Sequence, residues 1–120
     1  MASRILLGVS SLVLLGGGVI HAMAFRRFDP VANALPPFYA NASRALWLID
    51  SATQLVLAAA FAWLAARPDA ATPTVVAFMA LIPAATAVLI YAYVGNFAAG
   101  HLLAAAAATS LAAAALSAWR

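Results

Sequence analysis

His21, Asp50 and His101 are the residues of this chain best suited to chemistry, because each is ionisable and each lies inside an apolar run. The runs are residues 5–25, 45–66, 75–94 and 97–118, and the first and third connections between them fall on the same side. Counted from that side at about 1.5 Å per residue, the three groups lie roughly 6–8 Å inside their helix ends. Tyr91, Tyr93, Asn96 and Gln54 fall within a turn or two of the same level. Trp47, Asp50 and Gln54 are spaced i, i+3 and i+7, which is one face of a helix. An aspartate facing lipid at mid-membrane costs about 2.5–3.5 kcal/mol on insertion scales, so Asp50 is expected to face inward and find a partner. His21, His101, Tyr93 and a snorkelling Arg44 are the candidates.

Three chemistries fit such a layer. Asp50 and the histidines can hydrogen-bond one another and simply hold the helices in register. They can also line a cavity open to one face, which binds a small amphiphile or passes a proton, since imidazole changes charge near neutral pH. Finally, His21 and His101 can ligate a cofactor between the first and fourth helices. That cofactor would be a haem, with Arg26, Arg27 and Arg44 on its propionates, or, with Asp50 added, a non-haem metal held by two imidazoles and a carboxylate. No H-x-x-x-H or E-x-x-H spacing supports the metal site. Catalysis by side chains alone has little to draw on. Cysteine and glutamate are absent, and there is no G-x-S-x-G elbow. Gly16-Gly17-Gly18 lacks the lysine and hydroxyl of a phosphate loop. The reading is therefore a non-enzymatic protein with a ligand or proton site, transporter-like or accessory. The alternatives are a redox subunit using His21 and His101, or a purely structural subunit of a larger membrane complex.

The elements that must position these residues follow from composition. Of 120 residues, 68% are hydrophobic and 8% are charged, with a mean hydropathy of +1.04. A soluble domain carries about a quarter charged residues, so the solvent here is lipid. Each apolar run is long enough to cross the hydrocarbon, which needs about 20 helical residues. An unpaired strand would leave backbone groups without partners in lipid. The expectation is an all-α integral membrane four-helix bundle over residues 1–120, with a tight hairpin at Val94-Gly95-Asn96 joining helices three and four. The six basic residues are all arginine and flank the spans, so a basic balance does not point to nucleic acid.

The connections carry their own signals. Ala22-Met23-Ala24 resembles a signal-peptidase site, but Arg26 and Arg27 would follow the cut and the run is long for a signal core, so it reads as a retained helix. Residues 26–43, with Pro30, Pro36, Pro37, Phe28, Phe38 and Tyr39, read as a long segment lying on the membrane surface. Asn41-Ala42-Ser43 matches a glycosylation sequon, a three-residue match of little weight. Thr72-Pro73 supplies a cap and a first-position proline for the third helix, and Pro83 is expected to kink it.

Gly100, Ala104, Ala108 and Ala112 form a small-residue stripe on the fourth helix. The favoured expectation is packing within the bundle; the alternative is a second copy or a larger membrane complex. Alanine fills 35 positions and lysine and glutamate none, a usage expected of a GC-rich bacterial genome and hence of an inner membrane. Arg4, Arg67 and Arg120 oppose Arg26, Arg27 and Arg44, so charge barely sets orientation. Both termini are expected in the cytoplasm.

Overall fold

A computed structural model describes residues 1–118. Over these residues the chain is all-helical: α1 spans Ala2–Ala32, α2 Pro37–Ala66, α3 Pro73–Tyr93 and α4 Ala98–Ala118. All four are long and apolar enough to cross a membrane. Arg120, which entered the charge comparison, lies outside the described residues.

The helices are not arranged as a closed square. α1 packs on α2 and on α4, and α4 packs on α3, giving the lateral order α2, α1, α4, α3. Neighbours run antiparallel. Arg4 Nε donates to the Ala65 carbonyl at 2.8 Å and Ser11 Oγ to the Ala58 carbonyl at 2.8 Å, which fixes the α1–α2 register. Ser10 Oγ shares a 2.6 Å hydrogen bond with Thr109 Oγ1, which fixes α1 against α4. These serines lie in the aliphatic half of the bundle, where lipid cannot satisfy a hydroxyl, so each bond also ties two helices together.

Leu7, Leu14, Leu57, Phe61, Leu64, Val76 and Leu103 form the buried core with small residues of α4. Large apolar side chains such as Leu12, Val56, Phe78 and Val88 remain outward. A surface of this kind is unstable in water and natural in lipid.

The first connection differs from the expected surface segment. α1 continues to Ala32 and α2 begins at Pro37, so only residues 33–36 lie outside helix. Pro37 takes a first position, whose N–H needs no partner, whereas Pro30 lies inside α1 one turn from its end and has no N–H for the Arg26 carbonyl. Arg44 stabilises the turn, donating through Nε to Asp29 Oδ1 at 2.6 Å and bonding Asn33 and Asn41. The α1–α2 hairpin thus projects past the arginines that mark the membrane face. Phe38 and Tyr39 still point outward from its tip.

The other connections match expectation. Thr72 Oγ1 accepts from the Val75 N–H, with Pro73 following at the first helical position. Gly95, at φ +90°, turns the chain between α3 and α4, and its N–H closes on the Ile90 carbonyl at 2.9 Å. Pro83 is buried and α3 runs through it as one helix.

The small-residue stripe of α4 does not stay on the packing face. Gly100 is buried and Ala104 half-buried, whereas Ala108 and Ala112 are exposed. The buried face is Gly100, Leu103, Ala106, Ala107, Ser110, Ala113 and Ala114. Steps of four residues overshoot a 3.6-residue turn, so the stripe winds off the contact within three steps. Close approach is needed at Gly100 itself, where an added Cβ would lie 3.0 Å from the Tyr91 ring.

Candidate ligand cleft

The lateral order leaves a gap between α2 and the α3–α4 hairpin, floored by α1. It is a partly open cleft of about 440 Å³. α1 contributes Gly17, Ile20, His21 and Ala24, and α2 contributes Trp47, Asp50 and Gln54. The opposite wall is apolar: Ile90 from α3, Val94 and Phe97 at the turn, and Ala98, Ala99 and Leu102 from α4. Its position beside the α3–α4 turn places it near one membrane face.

The polar groups all stand on the α1–α2 wall and form one network. His21 Nδ1 lies 2.8 Å from Ser51 Oγ and 3.6 Å from Asp50 Oδ2. Ser51 Oγ also donates to the Trp47 carbonyl at 3.1 Å, and Gln54 Nε2 donates to Asp50 Oδ2 at 2.8 Å. Trp47 lies between two rings. Its indole stacks on His21 with centroids 4.2 Å apart and on Phe28 with centroids 4.4 Å apart. Trp47 Nε1 donates to the His21 carbonyl at 2.9 Å, so the indole holds the backbone as well as the ring of His21. Gly17 admits the network: an added Cβ there would lie 2.8 Å from Gln54 Oε1.

Of the residues singled out from sequence, His21, Asp50, Gln54 and Trp47 come together in the cleft. His101, Asn96 and Tyr93 do not line it. His101 Nε2 donates to Asn96 Oδ1 at 2.6 Å, and its Nδ1 pairs with the Tyr91 hydroxyl at 2.8 Å. Both imidazole nitrogens therefore serve the α3–α4 turn. Tyr93 is 86% exposed. Arg44, expected near Asp50, pairs instead with Asp29, and Arg26 and Arg27 are exposed.

A shared ligand set of His21 and His101 is thus not what the bundle builds. Equal depth along two helices says nothing about azimuth, and the two histidines belong to separate hydrogen-bonded clusters. Among the described residues no group of three histidine or acidic side chains could hold a metal ion. The extended hairpin also corrects the depth reckoning: His21 stands about 16 Å from the end of α1 at 1.5 Å per residue, although the arginines still mark the membrane face.

Sequence reasoning missed Ser51, Phe28 and the apolar wall. Ser51 is i+4 from Trp47 and i−3 from Gln54, so it shares their face of α2 and the helical period was the signal that could have found it. Phe28 was assigned to a surface segment, and recognising α1 as continuous would have placed it two turns beyond His21.

These features define a class: a small integral membrane bundle of four helices with a laterally placed cleft near one face. Comparison with protein-family profiles, with curated proteins and with solved structures finds no match.

Proposed function

We propose that the protein binds a small amphiphile in this cleft, with the apolar part against α3–α4 and the polar part against His21 and Asp50. One observation carries the reading: a cavity of about 440 Å³ whose polar groups all lie on one wall. Ligand sites generally measure about 300–1,000 Å³ and pair an apolar lining with a few convergent polar groups. A protein held in lipid meets such ligands already partitioned into the bilayer. Binding without chemistry is favoured because, among the described residues, no nucleophile is hydrogen-bonded to the free edge of His21; Ser51 is on the Nδ1 side. The role is transporter-like or accessory.

Trp47 is the natural reporter. In a chain with Trp63→Phe and Trp119→Phe, saturable change of Trp47 emission on adding amphiphiles supports the reading, and a featureless titration across chemically diverse amphiphiles refutes it. Asp50→Asn should weaken that response while leaving the folded level intact. If Asp50→Asn merely abolishes accumulation, the network serves the fold alone.

Residence in a bacterial inner membrane is supported by the arginine-only, alanine-rich composition. Self-association is supported by the outward Ala108 and Ala112, which admit a close helix. Native mass spectrometry from mild detergent reads copy number and bound ligand together, and a monomer counts against association.

A further inference from the structure

Resting on that cleft reading, we infer that the ligand's polar head is a hydrogen-bond donor, a hydroxyl or an ammonium, held between Asp50 and His21. Three hydrogen-bond relationships lead there.

The first is the tautomer of His21. Ser51 Oγ has one proton and places it on the Trp47 carbonyl, so the oxygen offers a lone pair to His21 Nδ1. Asp50 Oδ2, 3.6 Å away, adds a second acceptor on the same side. Both favour a proton on Nδ1, which leaves Nε2 as an acceptor, and Nε2 has no hydrogen-bond partner among the described residues. The stacked Trp47 resists rotation of the ring about its Cβ–Cγ bond, which would carry Nδ1 away from Ser51.

The second is the unused capacity of Asp50. Oδ2 accepts from Gln54, while Oδ1 takes no hydrogen bond from the described residues. Its only ion-pair neighbour among them is His21, neutral in this tautomer; Arg44 is committed to Asp29.

The third is the scarcity of donors on the same wall. Trp47 Nε1 is occupied by the His21 carbonyl, and the remaining Gln54 amide proton sits on a side chain that is 5% exposed. The wall therefore offers two acceptors to a ligand. A ketone, ether or ester head would set lone pairs against lone pairs, whereas a protonated amine donates to both acceptors and an alcohol, with its single O–H, to one of them. The apolar wall then takes a short, bulky tail.

The experiment uses full-length protein carrying Trp63→Phe and Trp119→Phe in nanodiscs, with Trp47 emission as the readout. The probes are 2-cyclohexylethylamine, 2-cyclohexylethanol and the methyl ether of that alcohol, each counted by its concentration in the bilayer. The expected result is that the amine, the alcohol or both bind at least about tenfold tighter than the ether, the effect of one hydrogen bond to a charged acceptor. The two donor arms separate the sources: Asp50→Asn is expected to weaken the amine more than the alcohol, and unchanged binding of both probes overturns the placement of the head at Asp50. Equal binding of all three probes, or tighter binding of the ether, overturns the donor inference and leaves the cleft reading standing. No binding by any probe, together with a featureless titration against larger amphiphiles, removes both. Nitrogen-15 spectra of the histidines at pH 8 test the tautomer without any substitution at the site. A protonated Nδ1 and bare Nε2 on His21 are expected, and the reverse assignment overturns the inference.

Discussion

The imidazole of His21 lies on the indole of Trp47 with centroids 4.2 Å apart and planes 12° from parallel, while the indole N–H reaches back to the His21 carbonyl. One side chain of α2 thereby fixes both the ring and the backbone of a residue on α1. The cleft inherits its polar wall from that contact.

Trp47→Phe keeps a ring in the stack and loses the N–H, so it should destabilise the fold by about 1 kcal/mol. Trp47→Ala removes the stack with Phe28 as well and should cost about 3–5 kcal/mol. Unfolding in a mixed detergent series reads both. Equal losses for the two variants would show that the ring contributes nothing beyond its hydrogen bond.

Ser10 and Thr109 form the link between α1 and α4 deep in the aliphatic half. A double-mutant cycle of Ser10→Ala with Thr109→Val should give a coupling of about 0.6–1.7 kcal/mol, the range for interhelical hydrogen bonds in membranes. Additive effects would mean that the hydroxyls are satisfied by backbone carbonyls and not by each other, Ser10 by Leu6 or Ala106 and Thr109 by Ala105 or Ala106.

The glycines should separate cleanly. Nothing lies within 4 Å of an added Cβ at Gly8, so Gly8→Ala should be neutral or stabilising by up to about 1 kcal/mol. Gly100→Ala brings a Cβ to 3.0 Å from Tyr91 and 3.1 Å from Ile90 and should cost about 1–3 kcal/mol by forcing α3 from α4. Gly17→Ala meets Gln54 Oε1, the end of a flexible side chain, so its effect should fall on the Gln54–Asp50 bond and on ligand response more than on stability. Comparable stability losses at all three positions would contradict this geometry.

Arg44 joins Asp29, Asn33 and Asn41 around the short α1–α2 turn. Arg44→Ala should loosen that turn, raising hydrogen exchange over residues 30–37, while global stability falls by no more than about 1 kcal/mol because the pair is partly exposed. Unchanged exchange would show that the helix ends hold the turn without the arginine.

Composition and apolar run length determined the environment, the helix count and the antiparallel hairpins, because lipid forces every backbone polar group into a helix and a short Gly95 turn leaves no other course. Spacing along α2 also placed Trp47, Asp50 and Gln54 on one face, since the period of a helix is set by its backbone. What spacing could not reach was azimuth between helices. His21 and His101 share a depth in sequence, yet one faces α2 across the cleft floor and the other closes the α3–α4 turn. Only the tertiary order α2, α1, α4, α3 opened a cleft, and it did so through contacts read across helices: Gly17 and Gly18 admitting Gln54, the serines joining α1 to its neighbours, Trp47 stacking on His21. Local sequence states how far into the membrane a residue lies, and packing decides which residue it meets there.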